Sequence, residues 1–596
     1  VSDPTSDYSR RLEAKQKLIA AKNAIHFRVG YWKLATIAIG AVMLWAVLAR
    51  HLFSPYLLFA PAAIYLALAL FHERTIRDRT HAETAAAFYQ RGIARIEDRW
   101  PGTGETGERF RNAKHIYAED LDLFVRGGLF QLLSSARLPM GENRLAKWLC
   151  VPSPTPEIIE RQELVGVLRE KLDLREDIAV TGEDLRASLN LESLTGWSES
   201  PSKLPAGGMR AAAVLLALCM VAALSYSLAK SYYLPVLIVL LVEAVVTRWL
   251  WTRANEVVAT LTGNAEGLIL FSKVLERLER EQYSSARLQN HIAKLNTDEG
   301  SASHALLRLA RIVNWTNGRD SLLGKLAELP FLYTIQAGLA AEAWRRRWGS
   351  RMRDWIEVVS EMEALLSLAA YSYEHPSDPF PEFVPQPDAP ARFDGAELGH
   401  PLIPSAKCVR NSIRLDETQR LVLVSGSNMS GKSTFLRTIG INTVLAMAGA
   451  PIRGTSLRLT PLAIGTRIRS TDSLQEGRSS FFTEILQIRQ VFELTKAPMR
   501  LLFLFDELLE GTNSHDRRIG AEGLLRALLS HGAIGIVTTH DLALTEVADP
   551  LGGAVRNKHF QDHVEDGKMR FDYKLQEGVV AKSNALALMR LIGLDV

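Results

Sequence analysis

Cysteine is scarce: Cys150, Cys219 and Cys408 stand far apart in 596 residues and share no metal-ligand spacing. That excludes a disulfide framework and a clustered structural zinc site, and it fits a reducing compartment. Net charge is scarce too, since 70 basic side chains against 66 acidic ones leave a formal +4. Any surface for an anionic polymer must therefore be local. With 47% apolar and 23% charged residues, the composition is not that of a disordered chain. Length and hydrophobicity are in excess. At 66.2 kDa the chain is too long for one core and predicts roughly three or four domains. A mean hydropathy of +0.01 is high for so many charges, so the apolar residues must be concentrated.

They are concentrated in two pairs of uncharged or nearly uncharged segments. Leu34 to Ala49 and Leu52 to Phe71 form the first pair, Ala211 to Ala229 and Tyr232 to Val246 the second. A bilayer core about 30 Å thick takes about 20 apolar residues of helix. The second and third segments supply that, while the first and fourth lean on their flanks. Core helices of a soluble domain seldom lose polarity on every face. Tyr31, Trp32, Tyr232, Tyr233, Trp249 and Trp251 also sit where interfacial aromatics belong. The reading is two transmembrane hairpins in a multi-pass protein of the cell membrane. Basic residues from Arg10 to Lys33, then Arg74, Arg77, Arg79, Arg248 and Arg253, place both ends and the long connections in the cytoplasm. The amino-terminal run lacks the form of a cleaved signal, so the anchor is expected to stay. Glu243 lies inside the fourth span, as an ion-path carboxylate or as a helix-pairing group near the cytoplasmic face.

The expected order is a basic segment over 1–33, hairpin 1 over 34–71, a linker over 72–115 and a helical region over 116–204. Hairpin 2 follows over 205–250, more helices over 251–375, a Pro-rich linker over 376–391 and an α/β domain over 392–596. In the second helical region, Trp344, Trp348 and Trp355 fall on one helical face with Met352 between them. The arginines from Arg345 to Arg353 either grip phosphates or form the solvated side of an amphipathic helix.

The chemistry lies in the last third. Gly426-Ser427-Asn428-Met429-Ser430-Gly431-Lys432-Ser433 fits G-x4-G-K-[ST], follows the apolar run Leu421 to Val424 and leads through Thr434 into a helix. Glycines let backbone N–H groups wrap phosphates, and the helix points its positive end at them. Lys432 would neutralise the β and γ phosphates of ATP, and Ser433 would ligate Mg2+. Leu501 to Phe505 is a buried strand ending in Asp506, for the Mg2+ shell, and Glu507, placed to polarise the attacking water. Ile534 to Thr538 is another strand, and it delivers His540 to the same edge as a γ-phosphate sensor.

These residues resemble the MutS mismatch-repair ATPases. The Asn-Met-Ser filling between Ser427 and Gly431 is similar to that family's nucleotide loop. Gly477 to Phe481 with Glu484 resembles its signature segment, and Asp506-Glu507 with Gly511, Thr512 and Asp516 resembles its Walker B and D-loop. Thr538-Thr539-His540 and Ala581-Lys582-Ser583 resemble its switch and closing motifs. More weakly, Leu121 to Leu149 is similar to the start of the family's core and lever, and Glu357 to Tyr373 to its final lever helix.

The resemblance implies an α/β P-loop ATPase domain of ABC/MutS type, preceded by an all-α core and lever region that carries the two hairpins. It implies ATP and Mg2+ as cofactors and a homodimer through the ATPase domains, in which Ser479 caps the γ-phosphate of the opposite subunit. It also implies DNA as a partner and a role in mismatch repair. An ATP-driven structural or signalling device that never touches DNA is the alternative, and an ABC-like transporter is a further one. The departures bear on DNA. No mismatch-wedging Phe-x-Glu appears in a fitting place: Phe71-His72-Glu73 ends a span and Phe380-Pro381-Glu382 lies in the linker. Cys408 or Val409 stands where the family has an aromatic against adenine, and Glu510 where it has an arginine.

Overall fold

A computed structural model describes residues 3–50, 54–205, 207–317, 328, 330–384, 389–427, 429–468, 480–510, 512–565 and 568–580. The chain is helical as far as residue 374, apart from one two-residue β-ladder, and an α/β sheet region follows.

It opens with α1 (Pro4–Arg50) and α2 (Phe59–Ile96), packed against each other as a long pair. Between Pro4 and Arg50 there is no interior proline, and the two interior glycines, Gly30 and Gly40, do not interrupt the helix. The basic segment is therefore a continuation of the first apolar helix and not a separate piece. Most of the expected linker is likewise the end of α2, and only residues 97–128 form turns and loop. Then come α3 (Leu129–Leu133), α4 (Pro139–Cys150), α5 (Thr155–Leu168), α6 (Leu172–Ser188) and α7 (Leu191–Glu199). A second apolar pair follows, α8 (Met209–Lys230) and α9 (Leu234–Leu261). α1, α2, α8 and α9 are each long and apolar enough to cross a membrane, and their apolar side chains face outward: Trp32 is 66% exposed, Leu228 and Leu241 69%.

After α10 (Ala265–Arg280), α11 (Ala286–Ala293), the short ladder β1 (Asn296–Thr297) and β2 (Gly300–Ser301), and α12 (Ala302–Asn317), the region closes with α13 (Tyr333–Trp348) and α14 (Met352–Glu374). α14 is the hub. Every residue from Met362 to Glu374 is buried, with α3, α4, α5 and α6 packed around it.

The tryptophans of α13 and α14 do line the core as their spacing predicts. Trp344 stacks on Trp197 with ring centroids 5.9 Å apart, and its Nε1 donates to Ala305 O at 2.7 Å. The intervening arginines correct the expectation of a free basic side. Arg345 is itself buried and donates to both oxygens of Glu342 at 2.5 and 2.6 Å. Arg353 pairs with Glu199 at 2.7 Å, Arg351 with Asp354 at 3.6 Å, and Arg347 with Glu299. Arg346 donates to the Ser202 hydroxyl at 3.2 Å. Carboxylates one helical turn away or on neighbouring elements have taken up this charge, which local periodicity does not reveal.

In the sheet region, a small sheet of order β3-β7-β4-β5 is built from β3 (Glu382–Phe383), β4 (Phe393–Leu398), β5 (Asn411–Leu415) and β7 (Ser456–Leu459). The Pro-rich segment is therefore more than a linker, because β3 pairs with β7. The main sheet has the order β12-β11-β6-β10-β9-β8. Its strands β6 (Leu421–Ser425), β8 (Leu462–Arg467), β9 (Arg500–Phe505), β10 (Ile534–Thr539) and β11 (Val555–Glu565) run parallel, and β12 (Lys568–Glu577) returns antiparallel at the edge. β6, β8 and β10 are buried along their whole length, as a covered parallel sheet requires. Helices α15 (Lys432–Ala448), α16 (Ser480–Glu493) and α17 (Ser514–Ser530) flank it.

Candidate functional site

β6, β9 and β10 are neighbours in register, so their carboxy-terminal ends lie side by side. The loop after β6, the Asp506-Glu507 pair after β9 and His540 after β10 therefore share one edge, where open parallel sheets place ligands. A cavity of about 640 Å³ opens there, lined by Met429, Gly431, Lys432, Ser433, Thr434 and, facing them, Asp506 and Glu507.

The loop is shaped by its glycine. Gly431 sits at φ +99°, and a Cβ there would come within 2.9 Å of the Tyr573 ring. Lys432 heads α15, is buried, and donates to Gly426 O and Ser427 O at 2.9 Å each. Burial pushes its ammonium below the usual lysine range, while Glu507, Asp506 and Glu510 pull the other way. The hydroxyls of Ser427 and Ser430 are buried without a hydrogen-bond partner among the described residues. A buried cation resting on backbone carbonyls beside two orphaned hydroxyls suits a polyanion that would satisfy all three.

Opposite the loop, the Asp506 carboxylate accepts from the Thr538 hydroxyl. Arg467 holds the Asp506 carbonyl at 2.9 Å and lies 3.5 Å from Glu484. Glu507 has φ +49°, with its N–H donating to Thr538 O at 3.1 Å. Its carboxylate stands 3.3 Å from His540 Nδ1 and 3.9 Å from Lys432 Nζ. Glu510 completes a group with Glu507 and His540 whose ligand atoms all lie within 4.8 Å of one another. Burial and then the Glu507 charge push the Glu510 carboxyl up from its ordinary value. Of the residues expected to hold Mg2+, Ser433 and Asp506 both line the cavity, and a hydroxyl facing a carboxylate suits a hard cation.

Lys432, Ser433, Thr434, Met429, Gly431, Asp506 and Glu507 are thus brought together, with Gly426, Ser427 and Ser430 behind them in the loop and His540 at the rim. Asn428, Ser479, Gly511 and the segment 581–583 lie outside the described residues. Cys408 and Val409 do line the cavity. Sequence reasoning missed Tyr573 and Phe560, the aromatics that β12 and β11 bring to the cavity, and it missed Arg467 and His400. Phe560 packs edge-on against Phe435. Burial and then the nearby Arg437 depress His400 to about 4, so it lines the cavity as a neutral ring. The available signal for Tyr573 was weak: an aromatic in an alternating strand, a few residues before the closing motif.

Comparison with known proteins bears on the same region. Residues 422–595 match MutS domain V. That domain V segment contains the loop, both carboxylates, His540 and Tyr573. The chain is 35% identical over 211 residues to endonuclease MutS2 of Thermus thermophilus, covering 34% of this chain and 26% of that one. It is 32% identical over 280 residues to the DNA mismatch repair protein MutS of Brevibacillus brevis, covering 46% and 32%. A longer match, 25% identical over 510 residues, joins it to MutS of Streptococcus pneumoniae, covering 79% and 59%. The chain thus spans from about a quarter to three fifths of the length of these relatives. The likeness to MutS proteins is thus strongest in the domain V segment and partial elsewhere.

Proposed function

We propose that this chain is a membrane-anchored MutS-type ATPase whose sheet region binds Mg·ATP in the cavity at the ends of β6, β9 and β10. The observation that carries the reading is the buried Lys432 beside the orphaned hydroxyls of Ser427 and Ser430, facing Asp506 and Glu507. In this reading the loop from Gly426 to Thr434 holds the phosphates, and Lys432 leaves its two carbonyls to neutralise them. Ser433 and Asp506 would hold Mg2+, which supplies charge neutralisation across the phosphates. Glu507 accepts a proton from the attacking water, and His540, 3.3 Å from it, orients that carboxylate and senses the γ-phosphate. Tyr573 offers a face for the base. A second copy completes the site, with Ser479 directed at the opposite nucleotide, and the apolar pairs α1–α2 and α8–α9 cross the membrane as hairpins.

Mismatch repair and endonuclease action belong to the relatives' names. For this chain we propose that any DNA binding is weak and without mismatch selectivity, because the arginines from Arg345 to Arg353 are committed to internal acceptors. That commitment also favours the second reading, an ATP-driven membrane device that acts on its own helices or on a protein and not on DNA. ATPase activity of the full chain, with and without duplex DNA at two salt concentrations, decides between them. Stimulation by DNA that fades with salt supports the DNA reading; turnover indifferent to DNA supports the device. No turnover with intact folding sinks both.

A further inference from the structure

The far end of α14 is bound to the amino-terminal helix pair by a buried charge cluster. Arg95, near the end of α2, donates through Nε and Nη2 to the two oxygens of Glu374 at 2.6 and 2.5 Å. The Glu374 side chain is wholly buried and that of Arg95 is 9% exposed. Tyr8 of α1 donates to the same carboxylate at 3.2 Å and accepts from Arg175 of α6 at 3.2 Å. Its ring fills the notch at Gly92, where a Cβ would lie 2.4 Å from Tyr8 Cε2. The neighbouring Tyr373 hydroxyl donates to Asp7 at 3.0 Å. One carboxylate thus gathers α1, α2 and α14 in one geometry.

Four residues further on, the chain is fixed to the nucleotide domain. Asp378 pairs with Arg453 at 3.3 Å and accepts from the Tyr371 hydroxyl at 3.4 Å. The Arg453 N–H donates to the Asn442 side chain at 2.8 Å. Asn442 is fully buried on α15, the helix that begins with Lys432. From the phosphate loop to the amino-terminal pair there is therefore a continuous path in which buried polar contacts alternate with helix backbone: along α15 to Asn442, across to Arg453, Asp378 and Tyr371, along the last turn of α14 to Glu374, then to Arg95 and Tyr8. Buried ion pairs add little net stability over apolar packing of the same volume, so their best-attested use is to fix register.

We propose that Glu374 is the joint through which nucleotide binding at α15 is delivered to α1 and α2, so that the first apolar pair is the part of the membrane region that the ATPase moves. This rests on the reading of the cavity as an Mg·ATP site. The second pair has a different attachment: Gly338 of α13 packs directly on Ala254 of α9, where a Cβ would be 3.1 Å from the Ala254 Cβ. It moves with the lever as part of its core and not through a joint.

Contiguity alone does not demonstrate coupling, so the test reads coupling directly. Amide hydrogen exchange over residues 5–15 and 86–96 is followed in the full chain in lipid nanodiscs, with and without saturating Mg·ATP, alongside equilibrium binding of a fluorescent ATP analogue. Wild-type chain should show at least a threefold change in exchange at both segments on adding Mg·ATP, and Lys432→Ala should show none. Arg95→Lys, which keeps the charge but loses the fork, and Tyr8→Phe, which removes one donor, should each bind the analogue within threefold of wild type. Each should at least halve the response. Exchange without nucleotide is measured in every variant, so that simple loosening of the stalk is separated from lost transmission. Binding of Mg·ATP with no response in wild type, or an undiminished response in both variants, overturns the joint and leaves the nucleotide site standing. Failure of wild type to bind Mg·ATP overturns both.

Discussion

The glycine-rich loop before α15 and the arginine-rich stretch around α13 are both basic motifs, yet the fold treats them in opposite ways. In the loop, Lys432 is buried and hydrogen-bonded to two backbone carbonyls, with the Glu507 carboxylate 3.9 Å off, and two serine hydroxyls beside it have no partner among the described residues. Around α13, Arg345 is buried with a carboxylate of its own, and Arg347, Arg351 and Arg353 are paired outside it. The loop keeps a cation and two hydroxyls beside a cavity, whereas the arginines around α13 already hold carboxylates. Residue type and spacing alone do not separate the two.

The sharpest way to break that comparison is to remove the loop cation. Lys432→Ala should abolish binding of an ATP analogue with the fold intact by circular dichroism. Retained binding would mean that the cavity does not use Lys432 as argued. Glu507→Gln should keep binding within a few-fold and slow turnover by about 10² to 10⁴-fold, the usual worth of a general base. Equal loss of binding in both variants would contradict their separate roles.

On the scaffold side, Arg345→Ala leaves Glu342 buried without its cation and should destabilise the chain by about 3–5 kcal/mol in denaturant unfolding. Its nucleotide affinity should stay unchanged. A pH test reaches the same interior. Glu363 of α14 is fully buried and accepts from the N–H groups of Arg137 and Leu138, and burial pushes its carboxyl up to about 8. From about pH 4.5 to 8 the unfolded chain ionises at this position while the folded chain stays protonated, so stability falls as pH rises through that window. Glu363→Gln should flatten that part of the profile, and an unchanged slope would place the effect elsewhere. The smallest effect expected is on DNA. A mismatched and a paired duplex should bind with affinities less than tenfold apart, a difference of about 1.4 kcal/mol. A larger preference would reveal a wedge not recognised among the described residues.

Much of the sheet region around the cavity was legible because its signals are local. The apolar strands, the glycine loop and the acidic pair at a strand end each occupy a few consecutive residues, and parallel register then brings them together. The tryptophan face of α13 and α14 was legible for the same reason. What the sequence hid depends on distant partners. Arg345 reads as solvated until Trp197 and Ser200 are seen to close over it. The Pro-rich segment reads as a linker until β7 supplies a strand for Glu382–Phe383 to join. Tyr573 reaches the cavity only because β12 folds back along β11, carrying it to the loop from more than 140 residues away.

The contact of Tyr8 with Glu374 joins positions 366 residues apart. A ribosome adding roughly 5–20 residues per second needs roughly 20 to 70 s to make that stretch. Throughout that time the amino-terminal pair has no α14 to hold. What it does have is its own partner, because the Tyr8 ring rests on Gly92 and lies 5.7 Å from the Tyr89 ring. The first two helices can therefore settle together early, presenting a ready-made socket. The last turn of α14 is the late arrival that must find it. Substitutions in that socket should show up as reduced yield during synthesis, well before they appear as instability of the finished protein.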